Sequence, residues 1–336
     1  MSVQFGVHIG PQNASLAELR QLWTWLDRAG VDWISVWDHL YEAPPAGGTQ
    51  PHFEAVATLG AIAADTERAR LGCLVFCALY RNVGLLAKSA VTIDHLSGGR
   101  FELGIGSGWH EEEARAFGLP FPAQPERHEV LDASVRALRS LFSGQAATAT
   151  GPGVSLAEAS CLPGPAGRLP IWIGGTGRRK TLRLAGAVAD GWNAAYVGAG
   201  TFRELNGVLD DWCSAAGRSP SDIERSINLM YNLSSDDPAA VLANLEKQWG
   251  ELAELVRQGS VIGRPGDVMD QVAPYVEAGA QLVNVVIRPP WDQELLNAYV
   301  TDVVPAMRRE WTTALAPGGT TPLQPPAAEQ APRTTT

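Results

Sequence analysis

Two neighbouring residues of this chain, Asp38 and His39, have the side chains that acid–base chemistry requires. They follow residues 31–37, an apolar run that is typical of a buried strand. Histidine gives or takes a proton near neutral pH, and a neighbouring carboxylate can orient its ring. The pair predicts a proton-transfer site at a strand end, with a turn anchor as the alternative interpretation.

A second candidate is the glycine-rich stretch at residues 103–109. Its sequence is Leu-Gly-Ile-Gly-Ser-Gly-Trp, and an acidic helix start follows it. Glycines let the backbone bend sharply and approach a flat ligand, while a helix start presents backbone amides. A dinucleotide fingerprint would need a glycine where this chain has Trp109 or Glu111, so a Rossmann site is disfavoured. The loop predicts either a plain turn or a ligand-binding face.

A third candidate is the stretch at residues 173–180, which reads Ile-Gly-Gly-Thr-Gly-Arg-Arg-Lys and then opens a helix. Glycines free the backbone amides, and the helix start and the three cations add positive charge. This pattern predicts a phosphate site, with a capped and solvated helix start as the alternative. The predicted phosphate-binding residues are Gly174, Gly175, Thr176, Gly177 and Arg178.

Cysteine and histidine spacing offers less chemistry. Cys77 could be a nucleophile at the end of a strand, but no base accompanies it in the sequence, so we favour a buried packing role. The six histidines never show the helical i, i+4 spacing of a metal site, and no metal is expected. The four cysteines form no evident disulfide pair, which fits a reducing compartment.

The elements that position these residues alternate regularly between apolar strands and helices. Ser15 and Glu18 form a capping box at the start of the first helix, and Gly30 stands where that helix should end. The predicted strands are residues 4–8, 31–37, 70–75, 100–105, 170–173, 192–195, 223–232 and 282–287. The predicted helices between them include residues 53–65, 83–95, 126–142, 179–189, 202–216 and a long one at 238–257.

Eight strands alternating with helices predict a parallel sheet closed into a (β/α)8 TIM barrel, with an open doubly wound sheet as the rival. Residues 143–168, rich in glycine, alanine and proline, are an insertion between the fourth helix and the fifth strand. We expect one barrel domain at residues 1–315 and a disordered Pro/Thr/Ala-rich tail at residues 316–336. Functional groups in such a barrel lie at the carboxyl ends of the strands.

Composition narrows the partners of the chain. It has 336 residues, 45% of them hydrophobic, and a formal net charge of −10. The negative charge argues against nucleic acid and anionic membrane surfaces, and no apolar run is long enough to cross a bilayer. A cytoplasmic protein that acts on a small-molecule substrate is the expectation.

Taken in order, the motifs resemble those of the bacterial luciferase-like family of flavin and deazaflavin oxidoreductases. The resemblance runs over residues 5–308 and is carried by residues 36–40, 87–100, 103–109, 173–193 and 287–290. It implies a (β/α)8 barrel of the luciferase-like type with an insertion after the fourth helix, and a planar three-ring cofactor in the barrel mouth. Members of the family often have a non-prolyl cis peptide in the third strand, and the matching place here is Leu74–Val75.

The sequences of these motifs are most similar to those of members that depend on coenzyme F420, and FMN is the alternative cofactor. The resemblance implies that Asp38 and His39 flank the ring and that His39 is the catalytic proton donor. It also places Val75 and Cys77 against the ring. The mouth would be lined by Gly106, Ser107 and Gly108, and the phosphate held by Gly174, Gly175, Thr176, Gly177 and Arg178.

One departure from the family pattern concerns the substrate. Members that oxidise a sugar phosphate have a carboxylate directly after the glycine loop, where this chain has Trp109. The indole indicates an apolar or aromatic substrate wall, so sugar-phosphate oxidation is not expected.

Three functions remain open at the level of sequence. The first is hydride transfer from reduced F420 to an activated C=C or C=N bond of a small molecule. The second is an FMN-dependent monooxygenase that uses oxygen, and the third is a non-catalytic flavin-binding protein. An apolar patch near Trp23 and Trp25 also suggests a homodimer.

Overall fold

Eight parallel strands close into a barrel in the computed structural model, which describes residues 3–42, 47–233, 238–250 and 253–311. Neighbouring strands run in the order β9-β11-β1-β2-β3-β4-β7-β8, and β8 pairs again with β9 to close the ring. The barrel strands are β1 Gln4–Ile9, β2 Trp33–Val36, β3 Arg70–Cys77, β4 Phe101–Gly106, β7 Ile171–Gly174, β8 Gly191–Ala195, β9 Glu224–Leu233 and β11 Leu282–Ile287. The predicted (β/α)8 barrel is confirmed.

Helices pack around the outside of the barrel and bury their apolar faces against the strands. They are α1 Leu16–Arg28, α2 Ala55–Asp65, α3 Val83–Leu96, α4 Glu111–Ala116, α5 Gln124–Phe142, α6 Thr181–Val188, α7 Ala199–Ala215, α8 Pro238–Trp249, α9 Ala253–Gln258, α10 Val268–Glu277, α11 Gln293–Ala298 and α12 Val304–Trp311. The capping box of Ser15 and Glu18 is present at α1, and Gly30 follows that helix with a φ of 84°. Such caps satisfy backbone groups that a helix end leaves unpaired.

The amino-terminal end of the barrel contains a partly exposed ion-pair network. Arg70 bonds Glu102 at 2.5 Å and Glu224 at 2.9 Å, and its guanidinium lies over the ring of Trp33 at 5.0 Å. Trp33 and Trp172 pack together across the interior. A cavity of about 530 Å³ lies beside this network, whereas functional groups of such barrels lie at the opposite end, where the strands have their carboxyl ends.

The insertion after α5 contains a β-hairpin that the sequence did not predict. Its strands are β5 Ala147–Gly151 and β6 Val154–Ala159, which pair in an antiparallel manner. The hairpin packs on the outside of the barrel against α3 and α5. Lys88 and His95 of α3 bond the backbone oxygens of Leu162 and Gly164, which fixes the rest of the insertion to the same helix.

Two further predictions are corrected. The helix predicted at residues 238–257 is divided into α8 and α9, with Gly250 at a φ of 52° between them. A short strand, β10 Ser260–Gly263, then pairs with the end of β9. Trp23, predicted to contribute to an apolar surface patch, is fully buried and donates its indole N–H to Asp65. The predicted tail, residues 316–336, lies outside the described residues.

Two further findings concern the cysteines and the helices. The four cysteines are all buried and none forms a disulfide. In the part of the chain that the structure describes, no helix is both long enough and apolar enough to span a bilayer.

Candidate functional site

The carboxyl ends of four neighbouring strands bring the predicted site residues to one side of the barrel mouth. Strands β2, β3, β4 and β7 lie next to one another in the sheet. Asp38 and His39 follow β2, Val75 and Cys77 lie at the end of β3, and residues 106–108 end β4. The loop at residues 174–178 begins at the last residue of β7. Topology therefore assembles motifs that are far apart in sequence.

Small residues form the floor of this part of the mouth, around the half-buried side chain of Val75. A methyl group at Gly106 would lie 2.7 Å from Val75 Cγ2, and one at Gly174 would lie 2.7 Å from Val75 Cγ1. At Gly108, which has a φ of 77°, a methyl group would lie 2.7 Å from the Cys77 sulfur. Carbon atoms normally pack at about 3.5–4.0 Å, so only glycine leaves this floor unobstructed.

Strand β3 shows one feature that the family resemblance implied, and it also bears on the packing role that the sequence predicted for Cys77. The Leu74–Val75 peptide bond is cis. Cys77 is 7% exposed, and burial raises the pKa of its thiol to about 12. A thiol in that state is a poor nucleophile, which supports the packing role over the nucleophilic one.

His39 is held by a carboxylate that the sequence did not single out. Its Nδ1 lies 2.7 Å from Oε1 of Glu113, the third residue of α4, and its side chain is 15% exposed. Glu113 itself is buried, whereas Glu111 and Glu112 on the same turn are exposed. The carboxylate that orients His39 is therefore Glu113 rather than the adjacent Asp38.

Glu113 accepts four hydrogen bonds from residues that the structure describes. Besides His39, its donors are the Tyr80 hydroxyl at 2.6 Å and the backbone N–H groups of Leu40 at 2.9 Å and Tyr41 at 3.2 Å. Burial opposes the ionisation of Glu113, but these hydrogen bonds and the charge of His39 outweigh it. They lower the pKa of Glu113 to about 2. Glu113 is therefore a carboxylate at neutral pH.

Asp38 is turned away from the His39 ring. Its carboxylate, 1% exposed, binds both terminal nitrogens of Arg81 at 2.6 and 2.7 Å and accepts the Cys77 backbone N–H at 2.9 Å. Arg81 also pairs with Glu54, the residue that caps α2. Burial raises the pKa of Asp38, and the bidentate Arg81 opposes that shift. Asp38 thus ties the loop after β3 to the end of β2.

Aromatic rings surround His39 on the open side. Trp109 is 62% exposed, and its ring centre lies 5.2 Å from that of His39 in an edge-on arrangement. The ring of His110 lies 5.8 Å from His39 and 4.9 Å from Trp109. The structure therefore places a large exposed indole beside the histidine, and its role as a wall for an apolar or aromatic substrate stays a prediction.

The loop after β7 leads into α6 and is held by main-chain contacts. Gly175 donates its N–H to the Asn193 oxygen, and its own oxygen accepts the indole N–H of Trp192. Residues 175–180 are exposed, and Arg178 pairs with Glu204 at 2.5 Å. His128, which the sequence did not single out, reaches Thr181 Oγ1 at 3.2 Å. The loop presents glycine backbone, a helix start and cations to solvent, a combination that suits a phosphate.

The opposite side of the mouth is lined by residues that the sequence did not assign. His8 is buried, bonds Ser35 Oγ at 2.7 Å and packs edge-on against Trp37. Burial, the Arg288 charge and His39 lower the pKa of His8 to about 3, so it is neutral. Arg288 bonds the Tyr196 hydroxyl and lies over the Trp37 ring at 5.6 Å. These contacts join the ends of β1, β8 and β11.

These observations fit a flat ring system that carries a phosphate. The glycines around Val75 leave the floor open where any larger side chain would protrude, and the cationic loop lies two strands further along the sheet from β3. Ser107 and Gly108 are half-buried at the edge of the floor. Within residues 3–42, 47–233, 238–250 and 253–311, no group of three or more His, Cys, Asp or Glu side chains could hold a metal ion.

Fold and site together define a (β/α)8 barrel whose mouth holds a carboxylate-bound histidine and a floor of small residues. Residues 1–253 match the family model described as luciferase-like monooxygenase. The chain belongs to the luciferase-like monooxygenase family, and the predicted family is confirmed.

Individual relatives refine this placement. The chain is 32% identical to an F420-dependent glucose-6-phosphate dehydrogenase of Beutenbergia cavernae, over 84% of this chain and 90% of the relative. It is 28% identical to the enzyme of the same name from Microbacterium testaceum, over 92% of this chain and 98% of the relative. A solved F420-dependent secondary alcohol dehydrogenase in complex with an F420-acetone adduct superposes with a TM-score of 0.80 at 18% identity, over 91% of this chain and 99% of that one. At that identity the last comparison shows the fold alone.

Proposed function

We propose that this chain is an oxidoreductase that uses coenzyme F420 and reduces an activated C=C or C=N bond of a small organic molecule. Its relatives from two organisms are named as F420-dependent dehydrogenases. The observation that carries the proposal is His39, held by the ionised Glu113 at the edge of the glycine floor. That arrangement offers a proton donor beside a flat ring site.

The residues that would hold F420 are those around the floor and the cationic loop. Val75, Gly106, Ser107 and Gly108 would contact the ring, with Cys77 packed behind the floor. The loop from Gly174 to Arg178 would bind the phosphate. When bound in its reduced form, F420 supplies a hydride, and the protein supplies position and a proton.

His39 completes the reduction in this proposal. Hydride addition to one atom of an activated double bond leaves the other atom negatively charged. Transfer of the Nε2 proton of doubly protonated His39 to that atom gives the saturated product and leaves neutral His39 with its hydrogen on Nδ1, so two electrons and two hydrogens are added to the substrate in total. Such proton transfer by a positioned side chain contributes about 100- to 10,000-fold to a rate.

Trp109 is the reason that the proposed substrate differs from the sugar phosphate named for the relatives. It stands directly after the glycine loop, and its indole covers the open side of His39. A sugar phosphate is highly polar, and an exposed indole supplies neither a carboxylate nor a cation to bind it. We therefore propose a planar apolar or aromatic substrate that packs against Trp109.

The second candidate function is an FMN-dependent monooxygenase that uses oxygen. The family model itself is described as a luciferase-like monooxygenase, which favours keeping this alternative. A glycine floor and a phosphate loop serve either ring system equally well.

The test of the first proposal is turnover with reduced F420. A panel of activated alkenes and imines is offered under nitrogen, with glucose 6-phosphate and oxidised F420 in a parallel assay. We expect reduction of at least one unsaturated compound, a loss of about 100-fold or more in His39→Gln, and no sugar-phosphate oxidation. Glucose 6-phosphate oxidation at comparable rates, or full activity of His39→Gln, would refute the assignment.

A homodimer is a separate proposal that rests on the surface beside α1. Trp25, Trp291 and the Pro289–Pro290 turn line a cavity of about 430 Å³ there. Aromatic residues at a concave surface are common in subunit interfaces. Sedimentation equilibrium of the wild type and of Trp25→Glu tests it, and a wild-type monomer contradicts it.

A further inference from the structure

We propose that Glu113 is a positioning residue that holds His39 in the tautomer with hydrogen on Nδ1, so that Nε2 alone exchanges a proton with substrate. Glu113 acts through His39 and does not itself contact substrate. The inference rests on the proposed function only for its kinetic consequence, because the tautomer can be observed in the protein without cofactor or substrate.

The hydrogen-bond partners of Glu113 support this inference. A carboxylate only accepts hydrogen bonds, so the 2.7 Å contact with His39 requires hydrogen on Nδ1. The Tyr80 hydroxyl donates to the same oxygen, Oε1, while the N–H groups of Leu40 and Tyr41 donate to Oε2. Both oxygens are therefore fixed in place, and the His39 ring has one favoured orientation.

Asp38 cannot provide the same support from the residue next to His39. Both of its oxygens are bound by Arg81, and one also accepts the Cys77 N–H. Exposed Glu111 pairs with Arg115 one turn along α4. Among the described acidic residues at positions 38 and 111–113, Glu113 is the one that bonds His39.

Other titratable groups also face His39. Tyr80 approaches from the loop after β3 and His110 from the start of α4. His8 at the end of β1 and His52 interact with it electrostatically. Burial keeps the pKa of His8 near 3 and that of His52 near 4, so both are neutral at pH 7 and leave Glu113 as the charged neighbour.

The direct test is a two-bond ¹H–¹⁵N spectrum of the full-length, ¹⁵N-labelled protein, in which His39→Gln identifies the His39 signals. We expect the neutral form of His39 in the wild type to carry its hydrogen on Nδ1, the tautomer that free histidine disfavours. In Glu113→Ala we expect the two tautomers to mix. In Glu113→Gln, where an amide oxygen still accepts, we expect the wild-type tautomer to persist.

Kinetics gives the second readout, with exposed Glu112→Gln as the matched control. We expect Glu113→Ala to lower kcat by about 10- to 100-fold, as removal of an orienting partner does elsewhere, with F420 affinity unchanged. Glu113→Gln should recover part of the loss, and Glu112→Gln should match the wild type.

Two results would overturn the inference. One is a wild-type spectrum in which neutral His39 carries its hydrogen on Nε2, and this result refutes the inference even if Glu113→Ala fails to fold. The other is a folded Glu113→Ala variant whose His39 signals match the wild type. If the proposed function is wrong and the inference is right, no variant will show turnover, while neutral His39 in the wild type will still carry its hydrogen on Nδ1.

Discussion

Replacement of Gly106 by alanine should raise the floor of the barrel mouth. The added methyl group would lie 2.7 Å from Val75 Cγ2, about 1 Å closer than carbon atoms normally pack. Val75 is β-branched and therefore stiff, and Gly104 and Gly174 already pack closely against it. The relief open to it is a shift of its side chain toward the mouth, where the ring of F420 would rest.

The size of the effect follows from the overlap. Overpacking of this kind costs about 1–3 kcal/mol of unfolding free energy. A displaced floor should weaken F420 binding by about 10- to 100-fold, which equals about 1.4–2.7 kcal/mol. Val75→Ala in the Gly106→Ala background removes both γ-methyl groups, so it should restore affinity to that of the Val75→Ala single variant.

The assay is fluorescence titration with F420 together with urea unfolding of each variant. Gly207→Ala is the matched control, because Gly207 is exposed on α7 with nothing within 4 Å of the added methyl group. That variant should bind F420 normally and be slightly more stable. If Gly106→Ala binds F420 as tightly as the wild type, the floor does not contact the cofactor and the reasoning fails.

Three further predictions concern the surroundings of the site. Asp38→Ala removes one of the two carboxylates that pair with Arg81, whose side chain is 13% exposed, and leaves Glu54 as the other. It should cost about 1–3 kcal/mol in urea unfolding, and an unchanged free energy of unfolding would contradict the role of this buried contact. Burial lowers the pKa values of His8 and His52 from 6.5 to about 3 and about 4. The stability present above pH 6.5 should therefore be lost as the pH falls from 6.5 through about 4 and about 3. Equilibrium unfolding across this pH range should show a smaller loss in His8→Gln than in the wild type. Arg178→Gln should weaken F420 binding about tenfold and reduce the salt dependence of binding, whereas Arg183→Gln, also at an exposed position, should change neither. If the two variants have equal effects, the loop does not bind the phosphate.

The barrel could be predicted because its strands are apolar runs that alternate with helical patterns, and all eight predicted strands are present. Strand β10 could not, since Ser260–Gly263 offers two apolar residues and no alternation. The divided helix escaped prediction for the opposite reason. Its pattern stays helical on both sides of Gly250, whose positive φ interrupts the chain there.

The site was predictable where it follows from strand ends and not where it depends on helical phase. Asp38, His39 and the glycine loops were found because topology places strand ends together. Glu113 was missed because three glutamates in a row differ only in which one the start of α4 turns inward. The pairing of Asp38 with Arg81 joins residues 43 positions apart, so sequence spacing gave no indication of it.

The central claim is that the mouth of this barrel binds the deazaflavin F420. Equilibrium titration of the purified protein with F420 and, separately, with FMN, followed by fluorescence and absorbance, tests it most directly. The account predicts tight F420 binding and weak FMN binding, with F420 affinity reduced in Gly106→Ala. Preferential binding of FMN would contradict it and support the oxygen-using monooxygenase instead, and binding of neither would refute the assignment of the mouth as a cofactor site.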